Sequence, residues 1–396
     1  MPSYFPEEPA PALTGISGSG QRERMDLNAS TIDWNVTTMD QNLFRIDLNV
    51  TTGRSLFTWV DFLSADYDWL TLDLRIYYAL RVIQTIYYPC LAIVGVPANL
   101  VTIVILYRGK CDLSECVTGY LMAMAVADLL VIILDLILRH IPILYQEHFY
   151  FLRDIPLCDI HAVLLHAATD CSVWFTVTFI FDRLVAICCQ KLKSKYCLKK
   201  TASVVLGTVT LLSCLKNIFW YFTLIDRYWL INYPYFCEIT GHVLFSHTWT
   251  AIEFLHYILT PCVPFFLILL LNGFTVRHIL VTSRARKRLR AQRSVGTPRD
   301  SEIESRRKSI ILLFVISGNF ILLWSLFMVF SVWNKMYWLG FRSVYLPFFV
   351  QEIGFMFQLL SCCTNTCIYV VTQTKFREKL KNVVKHPFNL IIKFMK

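Results

Sequence analysis

Seven apolar stretches, each long enough to cross a bilayer, run through residues 82–371 and leave few architectures open. A helix needs about 20 mostly apolar residues to span the hydrocarbon core. The sequence predicts spans at about 82–107, 117–139, 159–188, 202–225, 247–276, 309–332 and 346–371. Backbone amides find no water in lipid, so such segments are helices or the strands of a closed barrel. Barrel strands alternate apolar and polar residues over about ten positions. Leu129-Leu130-Val131-Ile132-Ile133-Leu134 does not alternate, which selects helices. The expected fold is an all-α membrane protein, a seven-transmembrane helix bundle over 81–373. A polar tail (1–80) precedes it and an amphipathic tail (374–396) follows. In that last segment Phe376, Leu380, Val383 and Val384 share a helical face, as in a short amphipathic eighth helix lying on the membrane.

Only 17% of the 396 residues are charged and 56% are hydrophobic, whereas a soluble domain carries about a quarter charged residues. The net charge of +10 would suit nucleic acid if it were clustered outside the spans on one domain. Its placement argues for topology instead. With the N-terminus outside, 25 Lys and Arg fall on the cytoplasmic side and 11 on the extracellular side. That is the positive-inside pattern, and the inner surplus also attracts anionic lipid. No nucleic-acid partner is expected. Met1–Glu8 lacks the basic start and apolar run of a secretory leader, so none is expected. Three sequons in the tail, at Asn28, Asn35 and Asn49, would be glycosylated on the lumenal side; the alternative is an unmodified polar tail.

Most of the 14 cysteines lie in or just below spans, where they behave as small apolar residues. Cys158 and Cys237 differ. One begins the third span on the outer side and the other lies in the loop after the fourth. In an oxidising compartment a bridge between them would persist and tie that loop to the third helix. Ionisable residues deep in lipid are costly and usually face the bundle interior. Asp128 lies midway along the second span, Asn99 along the first and Asn365 in the seventh. They suit either one shared polar network or separate hydrogen-bonded packing contacts that fix helix registry.

These residues resemble, in order and spacing, the rhodopsin-like (class A) G-protein-coupled receptors over roughly residues 80–385. The matching positions are Asn99, Ala125–Asp128, Cys158 placed 25 residues before Arg183, Asp182-Arg183-Leu184, Pro264, Trp324, Asn365-Thr366-Cys367-Ile368-Tyr369 and Lys375-Phe376-Arg377. The resemblance implies a plasma-membrane receptor that passes binding of an extracellular ligand to a heterotrimeric G protein. It implies that Asp128, Ser172 and Asn365 hold an allosteric sodium ion, with no other cofactor and no metal site. It also implies that Asp182 restrains Arg183 at rest, and that Val173, Pro264 and Phe320 form a repacking layer below Trp324. Tyr369 closes the seventh-span motif. A narrower resemblance, carried by Asn272 and the surroundings of Pro264, is to a peptide-receptor-like group of orphan receptors responsive to aromatic amino acids.

The chain departs from that pattern. Leu184 stands where the motif has tyrosine, and Thr366 and Leu326 stand where the seventh and sixth spans usually carry prolines. A proline kinks a helix by removing a backbone hydrogen bond. Its loss leaves the outward swing of the sixth helix less assured, so a receptor-like protein with impaired coupling is an alternative. Arg306 occupies the position of the acid that latches the arginine, 18 residues before Trp324. Like charges cannot latch, which predicts raised basal signalling unless Glu302 or Glu304 substitutes.

At the outer end, Leu165 stands seven residues after Cys158, where amine receptors carry an aspartate, so monoamine recognition is disfavoured. Arg139 could hold a carboxylate, and Glu253 or Glu352 an ammonium, beside His166 and Trp324. That set suits a peptide terminus or small zwitterion; the plainer reading is that these side chains pair with each other or snorkel to headgroups. A transporter or channel is a further alternative, but no broken helices in paired halves support it. No nucleophile–base or metal-ligand spacing supports an enzyme.

Overall fold

The computed structural model describes residues 72–108, 113–230, 236–239, 243, 246–290, 300–341 and 344–383. The sequons at Asn28, Asn35 and Asn49 lie outside them, as do the side chains of Glu302, Glu304 and Arg306. All the described residues belong to one compact unit. Among them, seven helices are long and apolar enough to cross a membrane: Arg75–Tyr107, Glu115–Leu144, Cys158–Cys188, Lys199–Thr223, His247–Arg284, Arg307–Trp338 and Phe348–Thr372. They are the first to seventh spans. Several run beyond their predicted limits. The first helix begins at Leu72, about ten residues early and within the stretch assigned to the polar tail. Hydropathy marks the hydrocarbon-facing part of a helix, and a helix can continue past it through polar turns such as that around Arg75 and Arg81.

Two serines start spans by accepting a backbone N–H from the first turn, a common capping device. Ser114 accepts from Val117 and Ser246 from Trp249, each at 3.4 Å. A helix over 374–383 follows the seventh span. Its Phe376 is 1% exposed and lies edge-on to Tyr369, with ring centroids 5.9 Å apart. Leu380 and Val383 pack on the same core, as their shared face predicts.

Without a hydrophobic drive between helices in lipid, close packing holds the bundle together, and small residues permit it. A Cβ on Gly95 would lie 2.5 Å from Cys363 Sγ, so this glycine lets the first span approach the seventh. A Cβ on Gly354 would lie 3.1 Å from Phe327 Cα, which brings the seventh span against the backbone of the sixth. The buried centre contains Tyr120, Phe179, Ile316, Phe320, Trp324 and Tyr369. Apolar side chains such as Ile93, Val204, Leu211 and Leu322 point outward.

Two irregularities have no hydropathy signal. In the second span the helix widens into a π-helical stretch over Ile132–His140. In the fifth, a widened stretch over Ile258–Cys262 contains Thr260 at φ −151°, ψ 112°, outside helical geometry. The break falls at Thr260–Pro261, ahead of Pro264. Pro264 sits in the first turn of the next helix, Val263–Arg290, where a missing N–H costs nothing. The sixth-span helix, Asp300–Trp338, contains no proline and neither does the seventh. Thr366 uses its hydroxyl instead, 2.8 Å from that of Thr102 on the first span.

The loop after the fourth span forms strand β1 (Leu224–Tyr228), antiparallel to β2 (Cys237–Ile239). The Cys158–Cys237 disulfide ties β2 to the head of the third span, as the sequence predicted. His161 reinforces the tie: Nε2 lies 2.8 Å from the Leu134 carbonyl and Nδ1 lies 3.1 Å from the Tyr228 hydroxyl. Burial, with the nearby Asp159 charge, pushes the Tyr228 phenol up to about 12.

Candidate functional site

Polar residues occur at three levels of the apolar bundle. At the outer level a cavity is lined by residues of the second, third, fifth, sixth and seventh spans and of the hairpin loop, among them Asp135, Arg139, His166, Asp170, Phe236, Thr260, Trp324, Phe355 and Gln358. Of the predicted pocket residues it brings together Arg139, His166 and Trp324. Glu253 and Glu352 are not in its wall. Glu253 accepts from Lys335 at 2.5 Å across the fifth and sixth spans, and Glu352 accepts from Gln84 at 2.7 Å across the seventh and first. Lys335 falls beyond the predicted sixth span, and the helix extends to include it.

Arg139 donates to Asp135 at 3.0 Å, and its guanidinium lies 4.8 Å from the Phe355 ring centre and 5.2 Å from that of Phe236. Asp135 was not singled out from the sequence; its place four residues before Arg139 was the available signal. A second ion pair joins Asp170 to Lys216 of the fourth span at 2.8 Å, and Asn217 donates to the same carboxylate oxygen at 2.6 Å. Lys216 also donates to Thr260 at 3.1 Å, and Trp174 donates to Thr260 at 3.3 Å. No sequence periodicity announces this cluster, because it joins three spans through a helix break. His166 stacks on Trp220 at 4.5 Å and meets His256 at 5.3 Å.

In the cavity wall Trp324 donates to Ser361 at 3.3 Å and stacks on Phe320, with centroids 5.5 Å apart. Val173 and Phe320 share its core cluster. At the middle level the Asp128 carboxylate accepts from Ser172 at 2.5 Å and from Asn365 at 2.6 Å. Asn99 donates instead to the carbonyls of Gly95 and Cys362, each at 3.0 Å, which links the first and seventh spans. Asp128 and Ser172 offer oxygen donors of the kind a small hard cation prefers, so these residues fit sodium. Asn365 turns its amide nitrogen toward the carboxylate.

At the inner level Asp182 is fully buried and Arg183 is 9% exposed. The Arg183 Nε donates to Asp182 Oδ2 at 3.0 Å, and its Nη2 donates to the same oxygen. Cys116 donates to the other oxygen, Oδ1, at 3.2 Å, a partner the sequence did not suggest. Lys308, near the inner end of the sixth span, donates to Thr374 at 3.5 Å. Cys197 approaches the Asp182 carbonyl at 3.8 Å; burial and the Asp182 charge push its thiol up to about 11.

The arrangement defines a multi-pass membrane protein with a cavity at the end that bears the disulfide and a buried, carboxylate-paired guanidinium at the other. The family model described as 7 transmembrane receptor (rhodopsin family) matches residues 98–369. The chain belongs to that family.

Proposed function

We propose that this protein is a G-protein-coupled signalling receptor of the plasma membrane, with its N-terminus outside. An extracellular ligand seated in the outer cavity shifts the population between two bundle states, and a heterotrimeric G protein reads the shift at Arg183. The observation that carries this reading is the Asp182–Arg183 pair, buried at the inner end of the third span. Arginine suits the role because it stays charged and presents a fork of donors once released. Trp324, Phe320 and Pro264 lie on the sixth and fifth spans between cavity and switch, and Asn365 and Tyr369 carry the change on the seventh. A sodium ion held by Asp128 and Ser172 would supply the counter-charge to the buried carboxylate. The ligand is a peptide end or a small zwitterion, with Arg139 as the carboxylate anchor.

Arg306 in place of an acid supports raised activity without ligand, since no carboxylate stands there to hold Arg183. Ligand-free signalling at matched surface expression tests the proposal across the main Gα classes. Activity above mock-transfected cells in at least one class is expected; mock-level activity in all of them contradicts it.

A further inference from the structure

We propose that Asp170 receives the cationic group of the ligand, and that Lys216 is its resident counter-ion, displaced when that group enters. This rests on the reading of the outer cavity as the ligand site. The cavity wall holds two carboxylates, Asp135 and Asp170, and one guanidinium, Arg139. Arg139 balances Asp135 within the wall at 3.0 Å. Asp170 is therefore the charge the wall itself leaves over. Its cation, Lys216, comes from the fourth span and is not part of the wall. Lys216 and Asn217 both bind one oxygen of Asp170, Oδ2, and the Thr260 hydroxyl is hydrogen-bonded to the same carboxylate.

Two further wall atoms point to a guest. His256 Nδ1 and Gln358 Oε1 have no hydrogen-bond partner, and their residues are 6% and 4% exposed. Buried polar atoms are normally satisfied. An ammonium brings three donors and no acceptor, enough for Asp170 and Gln358 together. A guest cation that replaces Lys216 keeps Asp170 paired, so the exchange leaves no uncompensated buried carboxylate. Lys216 retains 22% side-chain exposure on a flexible stem and can withdraw.

The exchange also reaches a hinge. Lys216 holds Thr260 at 3.1 Å, and Thr260 is the non-helical residue at the break of the fifth span. Moving Lys216 off Asp170 removes one of the two donors that fix that hydroxyl, so occupancy of the cavity alters the bend of the helix leading to the inner face. Glu253 and Glu352, with partners elsewhere, are left out of this device.

The test uses the full chain in lipid nanodiscs, with thermal unfolding as the readout. The probes are phenethylammonium chloride and its uncharged isostere 2-phenylethanol, at equal concentration and ionic strength. The ammonium alone should raise the unfolding midpoint. Lys216→Met, which removes the competitor, should bind it at least about tenfold tighter, and Asp170→Asn should not respond. Lys216→Gln replaces the methionine variant if that does not fold. Equal responses to both probes, an unchanged response in Asp170→Asn, or no response in the unsubstituted chain would overturn the proposal. Because binding is read without coupling, charge-selective binding in a chain that never activates a G protein would remove the receptor reading and keep the site. Coupling without charge selectivity would do the reverse.

Discussion

Asp128 shows how a single residue ties three spans together. Its carboxylate gathers donors from the third and seventh spans at a buried position. Asp128→Asn should abolish any dependence of thermal stability on sodium chloride over equal N-methylglucamine chloride, whereas the unsubstituted chain should be stabilised by sodium. Equal sodium dependence in both would remove the ion from the account. Cys197 gives a pH prediction. A thiol raised to about 11 is almost wholly protonated at pH 8, because burial and the neighbouring Asp182 charge both disfavour the thiolate. Since the thiolate is the nucleophile, Cys197 should alkylate about 100-fold slower at pH 8 than an ordinary thiol, and faster as pH rises toward 11. Mass-spectrometric labelling rates, site by site, check this. At this scale much was legible: Asp128, Asn365, Asp182 and Arg183 stand out as polar or charged residues in or at the end of spans, and Ser172 through the family resemblance; they meet as the cluster Asp128–Ser172–Asn365 and the pair Asp182–Arg183. The meeting of Lys216, Asn217 and Thr260 was not legible: Pro261 marks a break in the fifth span, but nothing local says which residues of the third and fourth spans meet it.

Each span was visible as an element, since hydrocarbon thickness demands a long apolar run whatever the details of packing. Its irregularities were not. Apolar run length does not record the widened stretches Ile132–His140 and Ile258–Cys262, although Pro261 lies in the second, and widened turns of this kind often mark functional sites. They place Asp135 and Arg139 in the cavity wall and put Thr260 within reach of Lys216. The contact between the sixth and seventh spans yields a direct test. A valine at Gly354 adds two methyls beyond a Cβ already 3.1 Å from Phe327 Cα. Overpacking of this kind costs about 1–3 kcal/mol, so Gly354→Val should lower the thermal midpoint of the purified protein. An unchanged midpoint would mean that the two helices are not in close backbone contact. Gly207 has open space where a Cβ would project, so Gly207→Ala serves as the tolerated control.

For the molecule as a whole, charge and sequon placement predict one topology. An N-terminal epitope tag should be accessible on intact cells, a C-terminal tag only after permeabilisation, and glycosidase should reduce the apparent mass unless Asn28, Asn35 and Asn49 are all replaced. Both tags on one side would contradict a chain that crosses seven times. The seven spans, the disulfide and the short eighth helix followed from sequence, because each is set by a local rule of length, compartment or periodicity. The allocation of buried charges did not, because Glu253, Glu352 and Asp170 differ only in which partner the packed bundle brings to them. In the proposed function, what unites the levels is a guanidinium held by Asp182 that a change in the bundle would release. The most direct measurement of that is the rate of GDP–GTP exchange on a purified heterotrimeric G protein, with the chain and its Arg183→Ala variant in nanodiscs. Exchange should exceed that of empty nanodiscs with the unsubstituted chain and fall to the empty-disc rate with the variant; equal rates for chain and variant would contradict the account.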